Sequence, residues 1–115
     1  MSEPEQENQD VTVLDNPEKG RFDVTVDGAH AGFSLYQDTR ASGTDQRIFY
    51  HTVIFDDFEG RGLAGILTKA ALGTSVQSGH RLVAVCPYVK KWVSTHHDYS
   101  DSLDPVGPEH LDALR

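Results

Sequence analysis

The 115-residue sequence predicts an α/β domain of the α+β kind: a three-strand antiparallel meander, then a strand–helix–strand crossover and a short C-terminal helix, all on one mixed sheet. Three observations predict it. Three strand-like runs open the domain, the first alternating with period two and the third rich in aromatic and β-branched residues; the period becomes helical after Asp56-Asp57; and a short unbroken apolar run, residues 82–85, follows that helix.

Phe22, Val24 and Val26 alternate with Arg21, Asp23 and Thr25, the pattern of a half-buried strand. Asp27-Gly28 is a two-residue hairpin signal, because both turn positions of a type I′ turn need positive φ, and a second strand continues through Phe33 and Leu35. Residues 39–45 read as a loop. Residues 46–55 are the richest in aromatic and β-branched side chains and predict a central strand buried on much of both faces. Leu63, Ile66, Leu67, Ala70 and Ala71 then form one helical stripe that Gly79 stops. The apolar run ends at Cys86, and Pro87 suits the first position of another helix, since its missing amide would be unpaired there anyway. Residues 1–10 read as a disordered acidic tail, 11–103 as the domain and 104–115 as an irregular tail with a short turn at residues 110–114; His30, His80 and His110 fall in turns or tails and are expected to be solvated.

The 10 basic and 18 acidic residues leave a net charge of −8, which argues against a surface that neutralises nucleic-acid phosphates. One cysteine makes neither an internal disulfide nor a four-ligand zinc site, and it suits a reducing, intracellular compartment. No apolar stretch approaches the roughly 20 residues needed to span a bilayer, and no basic-then-apolar leader opens the chain, so no membrane partner and a cytoplasmic location are expected. His96-His97 are adjacent rather than three or four apart on their helix, and no metal is expected.

Gly60-Arg61-Gly62-Leu63-Ala64-Gly65 satisfies G-x-G-x-x-G where a strand gives way to a helix. Glycines admit a ligand close to the backbone, and free amides at the helix start, with the helix dipole, favour a phosphate or pyrophosphate; Arg61 is placed to add a charged contact. A dinucleotide-binding Rossmann domain would need this turn after its first strand and an acid ending the second, where this chain has Cys86-Pro87. A Walker loop would need Lys and Ser or Thr after the last glycine.

With its flanking motifs the chain resembles the GNAT acetyltransferase superfamily, and within it the compact single-domain, YjdJ-type subfamily. The resemblance spans residues 11–103 and rests on Lys19-Gly20-Arg21-Phe22, Val26-Asp27-Gly28, Ala31-Gly32-Phe33, His51-Thr52-Val53, the glycine loop, Cys86-Pro87-Tyr88-Val89 and His96-His97-Asp98-Tyr99. It implies acetyl-coenzyme A as cosubstrate and an amine as acceptor. The family's Gln/Arg-x-x-Gly-x-Gly/Ala pattern falls on Glu59, Gly62 and Ala64, with an acid at its first position, and His96-His97-Asp98-Tyr99 stands where the subfamily has His-Pro-Glu-Tyr. The resemblance implies pyrophosphate on the glycine loop and a pantetheine arm between splayed strands, paired with backbone near Val53 and Ile54. It also implies an open acceptor side.

Acetyl transfer needs a neutral amine, oxyanion stabilisation at the thioester carbonyl and a proton for the departing thiolate. Cys86, at a strand end just before a helix, is a candidate acetyl-accepting nucleophile; His51 is a candidate base toward the acceptor or toward Cys86; Tyr88 is a candidate proton donor to the leaving thiolate. The leading reading is an acetyl-coenzyme A-dependent N-acetyltransferase, acting directly or through Cys86. Beside it stand a coenzyme A-binding module without turnover, suggested by Glu59, and a redox-active thiol protein using Cys86 alone.

Overall fold

A computed structural model describes residues 10–41 and 43–115. Nine main elements follow the chain: β1 (Val11–Asn16), β2 (Arg21–Val26), β3 (Ala29–Ala41), β4 (Thr44–Ile54), α1 (Leu63–Gln77), β5 (Arg81–Ala84), α2 (Pro87–Thr95), β6 (Leu103–Asp104) and α3 (Pro108–Ala113). The strands form one sheet in chain order, with β1 to β4 antiparallel and β4, β5 and β6 parallel. The mixed sheet, the meander and the crossover match the sequence expectation.

Phe22, Val24 and Val26 face inward as their alternation requires, and the rings of Phe22, Tyr36 and Phe49 pack together with centroids 5.4–6.2 Å apart. Leu63, Leu67, Ala71 and Leu72 of α1 and Val89 and Trp92 of α2 close over them in one cluster. The α1 stripe is rotated from the expected one: Ile66 is exposed, whereas Leu72, Thr68 and Ser75 are buried. Among the described residues no helix is long and apolar enough to cross a membrane.

Three expectations are corrected. The loop at 39–45 is almost entirely strand, because β3 and β4 pair down to Ala41 and Thr44 and Arg40 binds Asp45 across the pair at 2.8 Å. A further strand, β1, pairs with all of β2; its apolar residues Val11 and Val13 gain a partner only once β2 lies beside them. At the C-terminus β6 and α3 replace an irregular tail, and His110 is 2% exposed rather than solvated. Its Nδ1 accepts from the Gly107 amide at 2.8 Å, and its Nε2 donates to Gln46 Oε1 at 3.0 Å. The same Gln46 donates to Asp104, which also accepts from Arg81. His30 lies on β3 rather than in a turn but is exposed as expected and hydrogen-bonds Asp23, and His80 is mostly buried, 3.6 Å from Asp38. The tail expected at residues 1–10 lies, but for Asp10, outside the described residues.

Gly32 sits opposite Ile54, and a Cβ there would press on the Val53 carbonyl and come within 2.8 Å of Ile54 Cδ1. Gly32→Ala is expected to cost about 1–3 kcal/mol, read as a lower denaturation midpoint. Burial raises the pKa of Asp104, but hydrogen bonds from Gln46 and Arg81 and the Arg81 charge outweigh it, so the carboxyl lies below its usual range. Such a group adds stability above its unfolded pKa of about 3.9 and loses it as pH falls through the folded value. Asp104→Asn should therefore lose less stability than the unsubstituted protein between neutral and strongly acidic pH, measured by urea denaturation along a pH series.

Candidate active site

β4 and β5 pair only from Gln46 and Arg81 to Phe49 and Ala84. At that point the Phe49 carbonyl accepts from both the Val85 amide, at 3.0 Å, and the Cys86 amide, at 2.8 Å. Pro87 has no amide to continue the ladder and begins α2, which carries the chain away from the sheet. β4 runs on to Ile54 beside β3 alone. Residues 50–54 thus present an edge without a strand partner, the kind that an extended ligand can pair with.

A bulge on the same strand decides which side chains face this opening. Leu35 pairs with His51 and Tyr36 with Phe49, leaving Tyr50 as the extra residue. One extra residue reverses the alternation, so Thr52 and Ile54 share the core side with Phe49, while His51 and Val53 take the other face. His51 is exposed there. The residue that meets the Cys86 thiol is Thr52: Cys86 Sγ donates to Thr52 Oγ1 at 3.5 Å, and Ser34 Oγ lies 3.0 Å from the same oxygen. His51 as a base toward Cys86 is therefore corrected, since the bulge separates the two by the thickness of the strand. Ser34 and Thr52 escaped the sequence reading because two hydroxyls eighteen residues apart become neighbours only through the β3–β4 register.

The glycine loop follows a short 3-10 turn at Asp56–Phe58. Gly60 and Gly62 have φ of 82° and 74°, the left-handed region that glycine adopts without strain. Gly62 caps α1, no side chain among the described residues bonds the first-turn amides, and no acid lies in that turn. Ile54, Gly60, Gly62, Ala64, Gly65 and Tyr88 enclose a cleft of about 270 Å³, floored by Leu63. A Cβ on Gly65 would lie 3.6 Å from the Tyr88 hydroxyl, so that hydroxyl hangs over the helix start. Tyr88 is 39% exposed, and partial burial raises its pKa above the ordinary phenol value. Glu59 also lines the cleft. Arg61 does not: its guanidinium turns back over the Phe58 ring at 5.3 Å and donates to the Asp57 carbonyl at 3.4 Å.

Of the sequence-selected residues, the cleft gathers the glycine loop, Ile54 and Tyr88, with Val53 next to it on β4; Cys86 lies beneath the sheet end and His51 above it. The surrounding charge is uneven. Arg21, Arg40, Arg47, Arg81 and Arg115 each pair with a carboxylate. Arg61, Lys69, Lys90 and Lys91, and Lys19 in the turn before β2, have no such partner among the described residues; the first four lie on the glycine loop, α1 or α2. Also among the described residues, no group of three His, Cys, Asp or Glu side chains is placed to hold a metal ion.

Residues 21–102 match the sequence model of a family described as GCN5-related N-acetyl-transferase. The chain belongs to this family. It is 29% identical over 98 residues to Protein NATD1 of Xenopus tropicalis, a match covering 83% of this chain and 87% of that protein. The fold agrees with that of solved GNAT structures. A GCN5-like protein from Staphylococcus aureus superposes with a TM-score of 0.60 at 17% identity, over 86% of this chain and 93% of the other. A ribosomal-protein-alanine N-acetyltransferase from Brucella melitensis biovar Abortus 2308 superposes with a TM-score of 0.53 at 21% identity, over 76% of this chain and 62% of that enzyme. This GNAT chain thus spans less than two thirds of that enzyme.

Cys86 is 3% exposed, with its thiol directed at Thr52. A bulky disulfide reagent is accordingly expected to react with the native protein at least about tenfold more slowly than with the urea-unfolded chain. Equal rates would place the thiol at the surface and revive a free redox role.

Proposed function

We propose that the protein is an acetyl-coenzyme A-dependent N-acetyltransferase that moves the acetyl group to an amine acceptor. The observation that carries this reading is the cleft where β4 parts from β5: it joins an unpaired strand edge, a left-handed glycine turn at a helix start and the Tyr88 hydroxyl in a GNAT chain.

In this reading the amides of Gly60, Arg61, Gly62, Leu63, Ala64 and Gly65 hold the pyrophosphate, helped by the α1 dipole. The backbone at Val53 and Ile54 pairs with the pantetheine arm. Acetyl-coenzyme A supplies the activated acyl group. Tyr88 gives a proton to the departing thiolate, and His51, on the open face, takes one from the acceptor amine. Burial of Cys86 favours direct transfer over an acetyl-cysteine route, with the thiol filling the base of the slot. The acceptor is an amine reaching the open face beside His51. A second reading, a coenzyme A-binding module without turnover, is favoured by Glu59, an acid lining a cleft meant for an anion.

Titration with acetyl-coenzyme A, intact mass spectrometry of the protein and of Cys86→Ala, and turnover with an amine panel test these readings together. Expected are saturable binding, no stable protein adduct and acetylated amine. A single adduct that vanishes in Cys86→Ala would install the covalent route, and binding without turnover on any amine would install the second reading. Gly62→Glu should abolish binding, since it puts a side chain in a left-handed position and a carboxylate in the cradle. Tyr88→Phe should lower kcat by about 10²–10⁴-fold while acetyl-coenzyme A binding is kept.

A further inference from the structure

We propose that Lys91 on α2 receives the 3′-phosphate of coenzyme A, making the protein selective for coenzyme A over its 3′-dephospho form. This rests on the coenzyme A reading of the glycine cleft and adds to it a residue the loop motif does not contain. Coenzyme A carries charge in two places, the pyrophosphate and a phosphomonoester on the ribose that is close to doubly ionised at neutral pH. The glycine loop meets the first with backbone amides. The second needs a cation that is not already engaged, close to the cleft.

Few side chains in this acidic protein qualify. Its arginines other than Arg61 are paired with carboxylates, and Arg61 is folded back on Phe58 and Asp57. Lys19 lies in a turn before β2, and Lys90 borders neither cleft on α2. Lys69 and Lys91 remain. Lys91 lines a second depression of about 220 Å³ together with Tyr88, Trp92, Thr95 and His96. Tyr88 borders both this depression and the glycine cleft, so the two lie on either side of one side chain of α2. Tyr88, Lys91 and Thr95 fall three and four residues apart and share a helix face. The depression also offers a flat surface for a nucleobase: the His96 ring stacks on Trp92 at 4.2 Å and 5°, held by Nδ1 at 3.0 Å from the Trp92 carbonyl. Lys69 lines a larger groove, about 450 Å³, on α1, but that groove shares no lining residue with the glycine cleft.

An exposed lysine–phosphate pair is charge-assisted yet partly screened, so its effect should be modest and salt-sensitive. Calorimetric titration with coenzyme A and with 3′-dephospho-coenzyme A tests it in the full chain. The unsubstituted protein is expected to bind coenzyme A about fivefold more tightly at low salt. Lys91→Gln should erase the preference without changing dephospho-coenzyme A affinity, Lys91→Arg should keep it, and Lys69→Gln should leave it intact. Added salt should shrink the preference in the unsubstituted protein and do nothing in Lys91→Gln. A preference that survives Lys91→Gln, one that disappears in Lys69→Gln instead, or none in the unsubstituted protein would overturn the assignment while leaving coenzyme A binding in place. Failure of the folded protein to bind either ligand would overturn the coenzyme A reading itself, and this assignment with it.

Discussion

The Phe49 carbonyl, accepting two consecutive amides, is the constraint on which the rest of the site depends. By engaging both Val85 and Cys86 it uses up the last ladder position between β4 and β5, and Pro87 cannot supply another. From that single shared acceptor follow the parting of the strands, the start of α2 and the placing of Tyr88 over the first turn of α1. One residue further along β4, the Tyr50 bulge turns Thr52 toward the buried thiol and His51 toward solvent. Opening and bulge lie next to each other because both relieve the same strand: it must bind β3 along its whole length but β5 along only four residues.

The chain separates its cations by chemistry. Arg47 is buried, gripping Asp38 at 2.7 and 2.9 Å and Ser75 at 3.2 Å, with its guanidinium 4.0 Å from the Tyr36 ring centroid. Tyr36 in turn donates to Asp15 at 2.6 Å, and burial together with that hydrogen bond raises its pKa well above the ordinary phenol range. This cluster fastens β1, β3, β4 and α1 where the sheet is closed. A planar guanidinium suits such forked, stacked contacts, whereas a lysine ammonium is a mobile point charge better suited to meeting a ligand in solvent. Arg47 thus serves the fold, while Lys69, Lys90 and Lys91 stand on the two helices that flank the opening.

Much of this was legible in local sequence. Period-two alternation at Phe22, Val24 and Val26, the Asp27-Gly28 turn, the helical run from Leu63 and Pro87 at a helix start are all consequences of backbone geometry within a few residues, and the structure contains each. The glycine loop was legible for the same reason, since positive φ at Gly60 and Gly62 is a local property. The α1 stripe was only half legible: periodicity marked a helix but not its rotation, which the sheet beneath it selects by burying Leu72 and leaving Ile66 out.

The sequence by itself determined the order and kind of the main elements and the glycine turn that opens α1, because propensity, turn chemistry and glycine conformation act over a few residues. Only the tertiary structure decided that β1 pairs with β2, that His110 is buried against Gln46 sixty-four residues away, that Thr52 rather than His51 meets Cys86, and where β4 leaves β5. Each of these depends on register between distant strands. A shift of one residue reverses every side chain beyond it, and no local pattern records where that shift occurs.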